Sequence, residues 1–452
     1  MNLQSVIHKF FNRFDKRTSK ALKNTILSFI IKGASILITL AFVPLLLHEL
    51  NPERYGIWLA MTSIISILGF SDIGLGHGLK NLLAESFARD DFVSARKLVS
   101  TAYFSMALTA MAIFILFLIV NYFIKWDIVL NAPSSMRNEL STLILIVFLF
   151  FCFQLVLNLV NSILTAYQMP AYSSAVFAIG QFLSFFGVFI LSKFYNKSSL
   201  IPYGLIISLA PVLALLITSI LLFSKKIRTI IPSYKYIDKT YLKRLYSIGV
   251  KFFSIQFTAV LLYQSNNLII AHVAGVSDVA NYNVAYKYAG IFQMLFSIIL
   301  LPIWVASADA YVRCDYLWIK KTIKRLNYIL ALFILFSIFQ LLFSNKIYNI
   351  WVGSKLQINF MLTGFLILYF ILSMRSGIYC NVINGTGKIQ FQFVITLGEV
   401  FLHIPLAIVL GKLWGVTGVV ISMCLIMFIN SIWMPIQCNQ LLNNSAKGIL
   451  NR

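Results

Sequence analysis

Apolar residues in this chain come in runs of about 20, each ended by a short polar or cationic stretch, along almost its whole length. A helix needs about 20 such residues to cross the roughly 30 Å hydrocarbon core of a bilayer, whereas barrel strands alternate apolar and polar over about 10. The pattern therefore predicts helices, twelve of them, at about 25–47, 55–73, 98–122, 141–165, 171–193, 201–223, 247–273, 283–307, 326–343, 360–382, 391–411 and 415–436. The expected fold class is all-α integral membrane.

Weak internal repetition divides these spans into two sets of six. LSFIIKGASI at 27–36 and YSIGVKFFSI at 246–255 place Lys32 and Lys251 at matching points of spans 1 and 7. Glu85-Ser-Phe-Ala-Arg89-Asp90-Asp91 after span 2 matches Asp309-Ala-Tyr-Val-Arg313-Cys314-Asp315 after span 8, and Asn161-Ser-Ile163 matches Asn381-Val-Ile383. Because six is even, both halves insert with the same orientation, which predicts two pseudo-symmetric six-helix bundles related by an axis along the membrane normal. The expected division is a basic amphipathic segment (1–24), an N-terminal bundle (25–223), a linker (224–246), a C-terminal bundle (247–436) and a tail (437–452). In the first segment Val6, Phe10 and Phe14 recur at spacing four among cations, the pattern of an interfacial helix.

Composition agrees with a membrane chain: 60% of residues are hydrophobic, 11% are charged and the mean hydropathy is +0.85. The net charge of +23 is one-sided, and it does not mark a nucleic-acid binder. Of 37 Lys and Arg, 25 fall in the N-terminal tail, the 2–3, 6–7, 8–9 and 10–11 loops and the C-terminal tail, eight fall on the opposite side, and four (Lys32, Lys251, Lys287, Arg375) lie within spans. By the positive-inside rule both termini are cytoplasmic, as an even span count requires. With no cleavage site after a short apolar core, no removable signal peptide is expected.

Polar groups inside apolar spans are costly, and each needs a reason. Lys32 lies about 10 Å into span 1 at 1.5 Å per residue, so either snorkelling or a water-filled cavity accounts for it, and the same choice holds for Lys251 and Lys287. Tyr286 and Tyr288 flank Lys287 as expected interface anchors. Arg375 and Glu399 are each about twelve residues from the Gly385-Thr386-Gly387 turn, hence about 18 Å deep on antiparallel neighbours. A buried Arg375–Glu399 ion pair is expected; it either neutralises itself or leaves Glu399, with His403 one turn on, to titrate during transport. Span 7 carries Tyr263-Gln264-Ser265-Asn266-Asn267, which must face protein or water and serves either helix–helix hydrogen bonding or a ligand. Asp72, beside Gly74, Gly76 and Gly78, is read as the cap of span 2. Asp91 and Asp315 are read as N-caps of the helices they precede.

No enzyme chemistry is visible: the five histidines show no metal spacing, no phosphate loop or nucleophile motif occurs, and outward loops are too short for a catalytic domain. No cofactor and no metal are expected. The five cysteines form no CxxC pair.

With Leu50-Asn-Pro-Glu-Arg-Tyr55-Gly56-Ile-Trp58 leading into span 2, Phe70-Ser-Asp72-Ile-Gly74-Leu-Gly76 leaving it, and the Asn384-Gly385-Thr386-Gly387-Lys388 turn, the chain resembles Wzx-type polysaccharide and O-antigen flippases of the multidrug/oligosaccharidyl-lipid/polysaccharide exporter superfamily. The resemblance implies a lipid-linked oligosaccharide, on undecaprenyl diphosphate, moved from the inner to the outer leaflet of a bacterial plasma membrane for surface polysaccharide such as O-antigen lipopolysaccharide. It further implies membrane lipids, a polysaccharide polymerase and chain-length machinery as partners, and a cavity lined by spans 1, 2, 7 and 8. Lys32, Lys251, Lys287, Tyr263, Gln264, Asn266 and Asn267 would lie there as substrate-binding residues. Relatives often carry an acid in the span 7 polar patch, where this chain has Asn266 and Asn267. A multidrug extruder of the same superfamily and a membrane polysaccharide polymerase are the alternatives; four intramembrane cations disfavour the first, and missing catalytic loops the second.

Overall fold

The computed structural model describes residues 16–68, 74–167, 169–194 and 199–451, and every regular element among them is helical. Two helices are longer than one crossing and break inside. The first, α1 (Lys16–Leu68), leaves helical geometry at Asn51, φ 59° and ψ 168°. There Asn51 Oδ1 accepts the Arg54 N–H at 3.0 Å and Pro52 follows. This break is a new helix start: Asn satisfies an orphan N–H, and Pro lacks one at the position where none is needed. The last, α15 (Gln390–Leu442), breaks at Trp414 and Gly415.

Between them run α2 (Leu75–Ala88), α3 (Phe92–Phe123), the short α4 (Trp126–Val129), α5 (Arg137–Leu157), α6 (Leu159–Ala166), α7 (Pro170–Phe194), α8 (Ile201–Leu221) and α9 (Lys239–Val273). They are followed by α10 (Val276–Ala289), α11 (Ile291–Val312), α12 (Tyr316–Leu342), α13 (Ser344–Trp351) and α14 (Phe360–Thr386). α5 and α6 run on as one span through Asn158, whose φ of −63° and ψ of −16° stay helical, and α10 and α11 make another, bent by 46°. Among the described residues eight of these helices are long and apolar enough to cross a membrane, nine with the bent pair; counting the two broken helices twice and the 35-residue α9 once gives twelve helical segments, in line with the count expected.

The chain groups into two compact units: Met1–Leu45, Leu68–Lys125 and Ser135–Phe253 form the first, and Leu46–Ile67, Trp126–Ser134 and Ser254–Arg452 the second. The second half of α1 thus groups with the later helices. The reason is close packing, since a Cβ at Gly56 would lie 1.7 Å from the Val276 carbonyl oxygen and Ser63 hydrogen-bonds Asn267.

In the first unit Leu79, Leu83, Leu98, Val160, Ile163 and Leu245 form a dry core at one end of the helices. The segment between α8 and α9 is strapped across that end. Arg96 Nε donates to the Ile231 carbonyl at 3.2 Å and its guanidinium lies 4.1 Å from the Tyr236 ring centre; the Ser233 N–H donates to Ser100 Oγ, Lys97 pairs with Asp238 at 3.2 Å and Arg244 with Glu85 at 3.0 Å. In the second unit Phe296, Ile319, Met374, Ile378, Val382 and Cys438 centre the core. Leucine, isoleucine and phenylalanine also cover outer faces, as Leu108, Ile115, Leu116 and Ile119 do on α3 and Leu335, Phe336 and Phe339 on α12. That exposure suits helices solvated by lipid, where apolar surface has no drive to hide.

The repeated motif is repeated in conformation. Arg89 pairs with Glu85 at 2.8 Å and Arg313 with Asp309 at 3.0 Å; Asp90 and Cys314 both take positive φ (54° and 59°). Asp91 then caps α3 by accepting the Ser94 N–H at 2.9 Å, and Asp315 caps α12 by accepting the Trp318 N–H at 3.0 Å. Both aspartates do the capping expected of them. Of the expected amphipathic segment 1–24, residues 1–15 lie outside the described residues, as does the cap at Asp72, while residues 16–24 form the start of α1.

Candidate functional site

The polar residues of α9 meet α15 inside the second unit. Asn266 is fully buried; its Nδ2 donates to the Leu262 carbonyl of its own helix at 3.2 Å, which leaves Oδ1 to accept from His403 Nε2 at 2.8 Å. His403, 1% exposed, meets the Ser422 hydroxyl at Nδ1, 3.2 Å away, and Ser422 is also 2.7 Å from the Val419 carbonyl. Asn266 and His403 line a cavity of about 20 Å³ with Leu262, Tyr369 and Met423, enough for one water.

Next along α9, Asn267 donates to Ser63 Oγ at 2.7 Å and accepts from Asn283 Nδ2 at 2.7 Å, tying α9 to α1 and α10. One turn before His403, Glu399 is 5% exposed. Beside its carboxylate lies Asn430, whose Oδ1 accepts the Trp433 indole N–H at 2.7 Å; Glu399 Oε1 has no hydrogen-bond partner among the described residues.

The Arg375–Glu399 ion pair does not form. Arg375 is exposed on α14, and no ion pair among the described residues includes it. Equal depth along two antiparallel helices sets height but not azimuth, and α14 turns Ser376 inward instead, where its hydroxyl meets Ser431 at 3.1 Å. Tyr288 is likewise not an interface anchor: it is 3% exposed, and its hydroxyl donates to the Gln340 carbonyl at 2.6 Å.

The structure thus gathers Asn266, Asn267, Glu399 and His403 on adjoining faces of one unit. Lys287 is half-buried on α10 and Gln264 half-buried on α9, also in that unit. Lys32 is exposed on the part of α1 that belongs to the first unit. Side chains at Lys251 and Tyr263 lie outside the described residues. Sequence reasoning missed Ser63, Asn283, Ser422 and Asn430. Single serines and asparagines in apolar spans are the only signal they leave, and asparagine is the rarer and more telling of the two.

This network can hold a proton in two ways without moving a heavy atom. With neutral His403, Nε2–H donates to Asn266 and Nδ1 accepts the Ser422 proton; with His403 protonated on both nitrogens, Nδ1–H donates to Ser422 Oγ while that hydroxyl donates to the Val419 carbonyl. Among the described residues no three His, Cys, Asp or Glu side chains converge as metal ligands.

Membrane-length helices in two units, with buried amides, a histidine and a carboxylate inside the second, have the make-up of a membrane transporter. The solved structures agree: an inward-facing multidrug resistance transporter of the MATE family and MOP superfamily superposes with a TM-score of 0.70 at 17% identity, over 93% of this chain and all of the other. A MATE transporter of Vibrio cholerae superposes at 0.66 and 13% identity, over 96% of this chain and all of the other. By sequence, a proposed O-antigen transporter from Salmonella typhi is 21% identical over 411 residues, 88% of this chain and 90% of that one. The sequence profile of the polysaccharide biosynthesis protein family matches residues 21–304. The chain belongs to that family and is a multi-pass membrane transporter rather than an enzyme.

Proposed function

We propose that the protein is a flippase that carries a lipid-linked oligosaccharide, on a polyprenyl diphosphate such as undecaprenyl diphosphate, from the inner to the outer leaflet of a bacterial plasma membrane by alternating access. The observation that carries this reading is membership of the polysaccharide biosynthesis family in a chain with a transporter fold. A diphosphate with attached sugars cannot cross hydrocarbon unaided, so a polar interior must take the place of its hydration while the polyprenyl tail stays in lipid.

In this reading Lys32, Lys251 and Lys287 compensate the diphosphate, and Tyr263, Gln264 and the span 7 asparagines contact the glycan or hold the helices that do. The buried Glu399 and His403 couple transport to a proton. Both termini and the linker face the cytoplasm, and the product is handed to a polymerase with its chain-length machinery.

Deletion of the gene tests the reading. Lipid-linked oligosaccharide should accumulate on the inner leaflet and surface polysaccharide should fall, and both should be restored by the wild-type chain but only weakly by Lys32→Ala with Lys251→Ala. Unchanged surface polysaccharide, or a changed drug susceptibility as the sole phenotype, would reject it in favour of the multidrug alternative.

A further inference from the structure

The first unit holds a second polar assembly that shares no residue with the Asn266–His403 network. Asn158 sits where α5 passes into α6 within one span. Opposite, α7 is drawn onto α8 at Gly180, where even a Cβ would come within 3.1 Å of Pro211 Cα. Between these helices, over Pro211 and Leu215 of α8, runs a groove of about 390 Å³ walled by the amides of Gln154, Asn158, Asn161 and Gln181 and by the rings of Phe151 and Phe177. It continues, through the shared residues Leu155, Asn158 and Asn161, into a hollow of about 270 Å³ reached by Lys80 from α2 and by the hydroxyls of Thr165 and Ser173.

Helix geometry does not ask for these amides. Four of them in one groove of a bilayer-spanning bundle would be costly against lipid and are expected to meet protein, water or a polar ligand. Protein accounts for part of their capacity: Gln154 donates to the Ser208 carbonyl at 3.3 Å, Asn161 to Asn158 Oδ1 at 2.7 Å, Ser173 to Asn161 Oδ1 at 3.1 Å and Gln181 Nε2 to Thr39 Oγ1 at 3.3 Å. Gln181 Oε1 remains a buried acceptor with no partner among the described residues, and Asn158 is exposed in the wall. Apolar walls, a few fixed amides and a volume of several hundred Å³ are the make-up of a small-molecule site. Among the described residues no carboxylate lines either hollow and the one charge is Lys80, a lining that disfavours a cation. A sugar ring matches it: hydroxyls both donate and accept as amides do, aromatic faces suit the ring's C–H surface, and Lys80 meets an acidic substituent.

We propose that this groove binds a saccharide unit of the transported glycolipid, so that the first unit reads the sugar. The proposal rests on the flippase reading, and the test separates the two. The probe is lipid-linked oligosaccharide extracted from cells lacking the protein, set against the same extract stripped of sugar by mild acid. In nanodiscs the full-length wild-type chain should prefer the intact glycolipid. Asn158→Leu with Gln181→Leu should cut that preference about tenfold while leaving affinity for the stripped lipid unchanged. An undiminished preference in the variant, or none in the wild type, overturns the saccharide site and leaves the flippase reading standing; failure of the deletion strain to accumulate any such lipid overturns both. If the double variant fails to fold, a benzophenone side chain at position 177 gives the same answer by photo-crosslinking. Adducts should form with the intact glycolipid in preference to the stripped one, and equal adducts with both would overturn the assignment.

Discussion

At Gly56 the chain has room for a hydrogen and nothing more, because the Val276 carbonyl oxygen occupies the place of a Cβ. Backbone cannot yield as a side-chain tip can, so Gly56→Ala must push α1 off the start of α10, at a cost of about 1–3 kcal/mol. The check is thermal unfolding of the purified protein, where the variant should melt several degrees lower. Asn266 is placed as tightly, but by hydrogen bonds. Asn266→Leu keeps the volume and strips His403 Nε2 of its acceptor, leaving a buried donor unpaired for about 1–3 kcal/mol. His403→Leu in the same background should cost less than it does alone, and a double-mutant cycle by chemical denaturation measures the coupling. Glu399→Gln keeps the shape of the side chain beside Asn430 and removes the titratable carboxyl. It should preserve stability to within about 1 kcal/mol and abolish the pH dependence of glycolipid translocation in vesicles, whereas normal pH-dependent turnover would take Glu399 out of the coupling.

Whole elements show a similar economy, and the strap between α8 and α9 is the clearest case. Asp238 is its latch. The Thr240 hydroxyl and backbone N–H, then the Lys97 ammonium, hold its half-buried carboxylate below the usual range. A carboxylate whose folded-state pKa is depressed stabilises the native arrangement above its unfolded value, and that support is lost as pH falls through the folded value. Asp91, depressed mainly by the Ser94 side chain, follows the same sign at the cap of α3. Hydrogen exchange across residues 228–240, corrected for intrinsic rates, should therefore rise below about pH 4, and Asp238→Asn should raise it at neutral pH and remove the step. The elements themselves were legible because a bilayer imposes one length on every span, and runs of about 20 apolar residues announce it. Caps such as Asp91 and Asp315 were legible because capping is local chemistry. The bend between α10 and α11 and the azimuth of Arg375 were not, since both depend on which neighbours a helix meets. A residue count fixes how deep Arg375 lies, but each residue turns the helix by about 100°, and only packing decides which face looks inward.

At the scale of the molecule, the claim that depends on every span at once is orientation, because one miscounted helix would invert half the chain. The 25 cations on one side argue for a cytoplasmic location of the turn between α11 and α12, where Arg313 sits and beyond which Lys320, Lys321, Lys324 and Arg325 gather on the first turns of α12. That turn also carries Cys314, which is exposed, while Cys152, Cys424 and Cys438 are buried and Cys380 is half-buried. The native protein thus contains its own reporter. A membrane-impermeant maleimide should leave intact cells unlabelled and label inverted vesicles rapidly, and Cys314→Ser should remove that fast label. Labelling of Cys314 in intact cells would reverse the assigned topology, and with it the direction in which the glycolipid is carried. Fast labelling confined to inverted vesicles would place the repeated Arg-x-Asp turns, at Arg89 and Arg313, on the side where a glycolipid built in the cytoplasm first meets the protein.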